Sequence, residues 1–144
     1  MTRRLLLLCT GNSARSQMAE GLWKAETDSD WEVHSAGSSP VGYVHPLAIQ
    51  SLSELGLDIS SYRSKHLNQF LHESFDLVIT VCDNAAQNCP VFSGAKQTLH
   101  WPFPDPAQVK GTHKEQLSAF RTTRDQIATR IKTHLFDCFS ANDV

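Results

Sequence analysis

The sequence predicts a single α/β domain in which a four-stranded parallel sheet carries helices on both of its faces. Short, nearly continuous apolar runs alternate with longer segments whose apolar residues recur at helical spacing, which is typical of a parallel sheet buried on both faces. The chain has 144 residues and contains no repeat, low-complexity tract or linker. Residues 1–144 are therefore expected to form one domain.

The elements follow one another in simple alternation. Four consecutive leucines, Leu5 to Leu8, predict the first buried strand, and Gly11 and Asn12 predict a turn after it. From Arg15 onward the apolar residues have helical spacing, so a helix follows the turn. Over the whole chain, strands are predicted at residues 4–8, 32–35, 77–81 and 97–101, and helices at residues 16–27, 46–55, 67–70 and 114–139.

Cys9 stands where the first predicted strand meets the turn. The third predicted strand ends immediately before Cys82, so both cysteines are expected at the sheet edge where ligands of parallel α/β folds bind. The N–H groups of the turn and the positive end of the helix dipole converge on Cys9, which suits a bound oxyanion and a thiolate equally well. An ordinary turn beside a buried structural cysteine is the alternative.

The residues after Cys9 fit an oxyanion loop. The planar guanidinium of Arg15 can grip two oxygens, and the Ser16 hydroxyl can donate to the cysteine sulfur. Gly11 and Asn12 tolerate the left-handed dihedrals that a tight loop needs. The predicted oxyanion-binding residues are Thr10, Gly11, Asn12, Ser13, Ala14 and Arg15.

Cys82 and Cys89 form a second motif. In a regular helix their α-carbons would lie at least ~10 Å apart, whereas a disulfide needs ~4.4 to 6.8 Å. A bridge between them therefore requires residues 82–89 to loop or rearrange, which the Asp and Asn residues and the following Pro90 permit. Two inert thiols or half of a zinc site are the alternatives. Since Cys138 and the histidines show no paired ligand spacing, no metal is expected.

Composition excludes several classes of partner. The net charge is -2 and no Lys/Arg run occurs, so nucleic-acid binding is not expected. The apolar run after Arg3 and Arg4 is shorter than the ~7 to 15 residues of a secretion signal, and none approaches the ~20 residues of a membrane span. We expect a cytoplasmic monomer without membrane association. In such a protein, four cysteines indicate catalytic, redox or metal chemistry before structural disulfides.

These motifs resemble the low-molecular-weight tyrosine phosphatases and, more closely, the thioredoxin-coupled arsenate reductases that share their fold. The segment CTGNSARSQMAEG, from Cys9 to Gly21, is similar to the reductase form of the loop, because the phosphatases usually carry Pro at the position of Gln17. The resemblance covers nearly the whole chain and continues through Ser35-Ala36-Gly37, the strand before Cys82, Cys89-Pro90, His100-Trp101-Pro102, Asp105-Pro106 and the last helix.

The resemblance implies an arsenate reductase that serves arsenic detoxification and needs no metal or organic cofactor. In the implied reaction, Cys9 attacks arsenate held by the loop and Arg15. Cys82 then attacks the Cys9 sulfur, arsenite leaves, and Cys89 attacks Cys82 to free Cys9. Thioredoxin, or glutaredoxin in its place, reduces the resulting disulfide by thiol exchange.

Asp105 is the implied general acid of this reaction. Two flanking prolines stiffen its loop and can hold one carboxyl group in place, and in the family this aspartate protonates the departing oxygen. Taken alone, an Asp-Pro pair would be only a turn. Cys138 has no role in the implied scheme.

A phosphatase acting on phosphotyrosine or small phosphoesters is the alternative function, because an oxyanion loop alone does not separate phosphate from arsenate. Two features oppose it: Ala107, Gln108 and Val109 stand where the phosphatases have tyrosines, and those enzymes lack this arrangement of Cys82 and Cys89. Weak phosphatase activity is compatible with the reductase. A non-catalytic oxyanion sensor would use the same loop without turnover.

Some relatives also bind a monovalent cation beside the loop. The matching residues here are Asn12, Glu20 and Ser35, but Lys65 replaces the carboxylate that completes the site. No potassium site is therefore predicted. Either the Lys65 ammonium takes the place of the cation and pairs with Glu20, or the alignment shifts at this point.

Overall fold

The protein is described from a computed structural model over residues 2–82 and 92–142, with side chains as far as residue 137. Within these ranges the chain forms four β-strands, three α-helices and two short 3-10 helices. The strands are β1 (Arg3–Cys9), β2 (Trp31–Gly37), β3 (Phe75–Thr80) and β4 (Ala95–His100). The α-helices are α1 (Arg15–Glu26), α2 (Pro46–Ser53) and α3 (His113–Asn142), and the 3-10 helices are Leu67–Phe70 and Pro106–Gln108.

The four strands form one parallel sheet with the order β2-β1-β3-β4. β1 is thus an interior strand, and Leu8 pairs with Ala36 of β2 on one side and with Thr80 of β3 on the other. Cys9 is the last residue of β1 and pairs with Gly37. It therefore lies at the carboxyl edge of the sheet, beside the point where strand order reverses, which is where open α/β sheets bind ligands.

The side chains of β1 explain why four leucines stand in a row. Leu5 and Leu7 belong to a buried cluster that includes residues of α1, α2 and α3. Leu6 and Leu8 point to the opposite face, where Phe70 of the first 3-10 helix contributes to a second cluster. All four leucines are fully buried, since both faces of the strand are covered.

The predicted fold, an α/β domain with a four-stranded parallel sheet, is confirmed. The bounds of its elements differ from the predicted ones by three residues at most, as at the end of α3, predicted at residue 139 and found at Asn142. The short helix Pro106–Gln108 was not predicted. Within the described ranges, no helix combines the length and apolar character that crossing a membrane requires.

Candidate active site

Cys9 is the centre of the site, and two donors surround its sulfur. The side chain is 2% exposed. The Asn12 backbone N–H donates to Cys9 Sγ at 3.2 Å, and Ser16 Oγ lies 2.9 Å from the same sulfur. Because Asn12 Nδ2 donates to Ser16 Oγ at 2.8 Å, the hydroxyl proton of Ser16 remains available for the sulfur. Both contacts bring hydrogen-bonding groups to the sulfur, the atom through which a cysteine acts as a nucleophile.

The loop after Cys9 turns through one left-handed residue. Asn12 has φ 46° and is fully buried. Of the two residues that tolerate left-handed dihedrals, Asn12 adopts one and Gly11 does not have a positive φ. At Gly11 the close approach of another loop matters instead, since a Cβ there would lie 3.4 Å from Val41 Cγ1.

Helix α1 presents its amino end to the loop. It begins at Arg15, and the residue before it, Ala14, has no side-chain acceptor to occupy the amides of the first turn. These amides and the helix dipole are directed at the region above Cys9, as expected for anion binding. Binding of an oxyanion by residues 10–15 stays a prediction.

A second loop, residues 38–45, holds the first one in shape from outside. Its backbone N–H groups donate to four of the five carbonyls of residues 9–13: Ser38 to Cys9, Ser39 to Thr10, Val41 to Gly11 and His45 to Ser13, at 2.9 to 3.3 Å. At the start of this loop, a Cβ on Gly37 would lie only 2.4 Å from the Thr10 carbonyl oxygen. Glycine is thus required at position 37 for the two loops to meet.

Arg15 connects the loop to the candidate general acid. Its side chain is 9% exposed, and Nη1 donates to the Phe103 carbonyl at 3.0 Å. Nη2 lies 3.7 Å from Oδ2 of Asp105. The guanidinium therefore stands between α1 and residues 103–105, in a position to contact an anion over Cys9.

Asp105 is held in place by the short helix that it caps. Its Oδ1 accepts from the Ala107 N–H at 3.0 Å, while Oδ2 faces Arg15. The carboxyl group is 22% exposed, so solvent reaches it. The structure therefore brings together Cys9, Arg15, Ser16 and Asp105, four residues that the sequence singled out.

Cys82 lies on the neighbouring strand end. β3 ends at Thr80, one residue before the predicted end of the strand at Val81, and the Val81 N–H still donates to the Leu8 carbonyl at 2.9 Å. Since adjacent strands are ~4.8 Å apart, Cys82 leaves the sheet beside Cys9. Both cysteines belong to the same buried cluster, and Cys82 is 2% exposed.

Two of the cysteines considered in the sequence cannot be placed in this way. Cys89 lies outside the described residues, and so does the side chain of Cys138. The role predicted for Cys89 and the requirement that residues 82–89 rearrange stay predictions.

The residues of the possible cation site are joined to one another by hydrogen bonds. Asn12 Nδ2 donates to Ser35 Oγ at 3.0 Å, and Ser35 Oγ donates to Glu20 Oε1 at 2.7 Å. The other oxygen of Glu20 is 2.8 Å from Lys24 Nζ. Lys24 is one helical turn from Glu20 and therefore reaches its carboxylate easily.

Lys65 does not form the ion pair with Glu20 that the sequence left open. Its Nζ donates to the Arg63 carbonyl at 2.9 Å, and Lys24 is the hydrogen-bonded cation at Glu20. Burial lowers the pKa of Lys65, an effect that the nearby Glu20 carboxylate opposes.

His45 is a residue of the site that the sequence did not reveal. Its Nδ1 accepts from the Leu47 N–H at 3.1 Å and so caps α2, and its ring packs on Phe120 with centroids 4.6 Å apart. Burial lowers the pKa of His45, and the Asp105 carboxylate opposes this shift. Only the neutral ring can accept at Nδ1, so the helix cap requires the unprotonated form.

Comparison with known proteins agrees with this geometry. Residues 4–141 match the family model described as low molecular weight phosphotyrosine protein phosphatase. An arsenate reductase from Halalkalibacterium halodurans is 46% identical over 129 residues, which are 90% of this chain and 92% of the relative. A solved structure described as an arsenate reductase in the oxidized state has a TM-score of 0.77 and 30% identity, covering 92% of this chain and 95% of its own.

A thioredoxin-dependent arsenate reductase from Corynebacterium glutamicum has a similar structure. Its TM-score is 0.63 at 29% identity, and the match covers 92% of this chain and 63% of that protein. The family match spans almost the entire chain, and both the curated relative and the two solved structures carry the same enzyme name. The chain therefore belongs to the low molecular weight phosphotyrosine protein phosphatase family and, within it, to the arsenate reductases.

Proposed function

We propose that the protein reduces arsenate to arsenite in the cytoplasm through a relay of Cys9, Cys82 and Cys89, and that thioredoxin regenerates it. The observation that carries the proposal is that two buried cysteines lie at adjacent strand ends, and that the helix after the first begins with Arg15, which faces Asp105. The relatives named above support arsenate as the substrate.

The first step forms a bond between Cys9 and arsenic. The Cys9 thiolate attacks arsenic(V), Arg15 and the loop amides stabilise the negative oxygens, and one oxygen leaves as water. Asp105 supplies the proton for this water. Its position supports the role, because Oδ1 is fixed by a backbone N–H and Oδ2 faces the arginine that would hold the anion.

The second step transfers two electrons to arsenic. Cys82 attacks the sulfur of Cys9, the electron pair of the sulfur–arsenic bond passes to arsenic, and arsenite departs. A Cys9–Cys82 disulfide remains, so two thiols have been oxidised for each arsenic(V) reduced. The shared buried cluster and the adjacent strand ends support an attack over a short distance.

The third step returns Cys9 to its reduced form. Cys89 attacks Cys82, which releases the Cys9 thiolate and leaves a Cys82–Cys89 disulfide. A thioredoxin dithiol then reduces this disulfide by exchange. The thioredoxin-dependent relative from Corynebacterium glutamicum supports thioredoxin over glutaredoxin as the reductant.

Phosphatase activity is not favoured as the main function. The similar curated relatives are named arsenate reductases, and Ala107 and Val109 follow the Asp105-Pro106 pair without a tyrosine to flank an aryl phosphate. Weak hydrolysis of phosphoesters stays compatible with the site, because the loop chemistry is shared.

The relay is tested by counting turnovers of cysteine variants. With arsenate, thioredoxin, thioredoxin reductase and NADPH, the unaltered chain should produce arsenite continuously. Cys89→Ser should release one arsenite per protein molecule, then stop with Cys9 and Cys82 joined, as mass spectrometry of the disulfides would show. Cys138→Ser is the matched control and should cycle at the unaltered rate.

Two results would contradict the proposal. Continuous cycling by Cys89→Ser would eliminate the third cysteine from the relay. The absence of arsenite from the unaltered chain would favour a non-catalytic oxyanion sensor. Replacing thioredoxin by glutaredoxin and glutathione in the same assay identifies the reductant.

A further inference from the structure

Gln17 occupies a costly position that the relay chemistry does not explain. It is the third residue of α1 and has no exposed surface. Its Oε1 is buried without a hydrogen-bond partner among the described residues. Full burial of a long side-chain amide is unfavourable unless its hydrogen bonds compensate. The hydrogen bonds of the Nε2 group are therefore expected to offset the cost of the unpaired Oε1.

The Nε2 group of Gln17 faces three oxygens. It lies 3.1 Å from the Asn12 carbonyl oxygen, 3.0 Å from Asn12 Oδ1 and 2.7 Å from the Arg63 carbonyl oxygen. One amide thus holds both the backbone and the side chain of Asn12. Arg63 is 46 positions away in sequence from Gln17, so the same group also joins two distant segments at the loop.

Asn12 is the residue of the loop that most needs external support. Its left-handed φ of 46° is unfavourable for a residue with a Cβ. In that conformation its N–H points at Cys9 Sγ, at 3.2 Å. Rotation of Asn12 to an ordinary dihedral would withdraw this donor from the sulfur and open the loop.

The segment at residues 63–65 strengthens the same arrangement. The Lys65 N–H donates to Asn12 Oδ1 at 2.8 Å, and Ser64 Oγ donates to the Gly11 carbonyl at 3.1 Å. Gln17 therefore lies between the loop and a segment that holds the loop from the other side.

We propose that Gln17 is a positioning residue that keeps Asn12 left-handed, so that the loop and its donor to Cys9 are formed before an oxyanion arrives. Gln17 contacts no reacting atom in this role. Preformed donors stabilise charge without reorganisation at the moment of binding, which benefits both the thiolate and the anion. The inference rests on the proposed role of Cys9 as the nucleophile, but its tests need no arsenate reduction.

The test measures the reactivity of Cys9 and the affinity of the loop for inorganic phosphate. Gln17→Met keeps a long side chain of similar volume and removes the amide donors. We expect its Cys9 to react with iodoacetamide about tenfold more slowly, and protection of Cys9 by phosphate to need about tenfold more phosphate. Ser51→Ala is the matched control, since Ser51 is also fully buried and packs against α1 without touching the loop.

A second comparison separates positioning from mere stabilisation of the fold. Glycine adopts positive φ without support. In an Asn12→Gly background, the Gln17→Met change should therefore alter the rate of Cys9 alkylation and the phosphate concentration that protects Cys9 by less than threefold each. The proposal would be overturned if Gln17→Met showed the alkylation rate and phosphate protection of the unaltered protein. It would also be overturned if the tenfold effect persisted in the Asn12→Gly background. Both criteria apply whether or not the melting temperature changes.

A measurement on the unaltered protein covers the case in which Gln17→Met does not fold. Hydrogen exchange by NMR should show the Gln17 side-chain amide and the Asn12 N–H protected in phosphate-free buffer as well as with phosphate. Rapid exchange of both groups without phosphate would contradict a preformed loop. If both groups exchanged slowly but the intact chain formed no arsenite, the positioning role of Gln17 would be supported and the proposed reductase function would be rejected.

Discussion

Replacing Arg15 by lysine tests the central contact of the site. Arg15 uses Nη1 on the Phe103 carbonyl, 3.0 Å away, and its Nη2 faces Asp105 Oδ2 at 3.7 Å. A lysine has one nitrogen and cannot hold that carbonyl and two anion oxygens in the same geometry. The positive charge is kept, so the experiment measures the planar, forked arrangement of donors.

The expected loss follows from the number of contacts. One charge-assisted hydrogen bond contributes about 1.5–3 kcal/mol. Because about 1.4 kcal/mol corresponds to a tenfold change in rate, Arg15→Lys should lower kcat/KM for arsenate by about 10- to 150-fold. Thioredoxin-coupled oxidation of NADPH measures this quantity, and circular dichroism verifies the fold.

Arg121→Lys is the control for arginine replacement in general. Arg121 pairs with Glu54 at the surface between α2 and α3, at 45% exposure. Such exposed pairs contribute about 0–1 kcal/mol, and kcat/KM should not change. If Arg15→Lys retained kcat/KM within a factor of two, the assignment of Arg15 as the anion clamp would be rejected.

Three further predictions concern the acid, the pH response and the packing of α1. Asp105→Asn should slow single-turnover formation of arsenite by ~10²- to 10⁴-fold, as loss of a general acid does; equal rates would remove Asp105 from the first step. Because the pKa of His45 is lowered in the folded state, stability should be fully retained above its unfolded value of ~6.5 and should fall as the pH decreases below it. Urea unfolding at several pH values should show a smaller decrease for His45→Asn, and an unchanged slope would refute this origin. Gly21→Ala should lower the free energy of unfolding, since its Cβ would lie 2.8 Å from Ile59 Cγ2 and overpacking of ~1–3 kcal/mol exceeds the helix gain of ~1 kcal/mol.

The parts of the site predicted from the sequence are those encoded by local patterns. Leu5 to Leu8 predicted the interior strand, the change to helical spacing predicted α1, and Cys9 at their junction was the candidate nucleophile. Arg15 and Ser16 followed from their positions on the first turn of α1. These predictions needed only the sequence within one strand, one loop and one helix.

The parts that were missed depend on contacts between distant segments. In the sequence, Gln17 stood out only as the position where the phosphatases carry Pro. Its full burial and its hydrogen bond to the Arg63 carbonyl, 46 positions away, belong to the folded chain. Gly37 looks like a common end of a strand, but the Thr10 carbonyl excludes any larger residue. The Glu20 and Lys24 pair, in contrast, has the four-residue spacing from which it could have been predicted.

The burial of Cys9 and Cys82 limits the size of the molecules that can react with them. At 2% exposure each, neither sulfur offers a surface that the active cysteine of another folded protein could contact. A tetrahedral anion of five heavy atoms is small enough to reach such a depth, whereas a protein reductant is not. Substrate and electron donor must therefore meet the enzyme at different places. In the proposed relay, this separation would protect the Cys9–arsenic adduct from premature reduction by the thiols of other folded proteins.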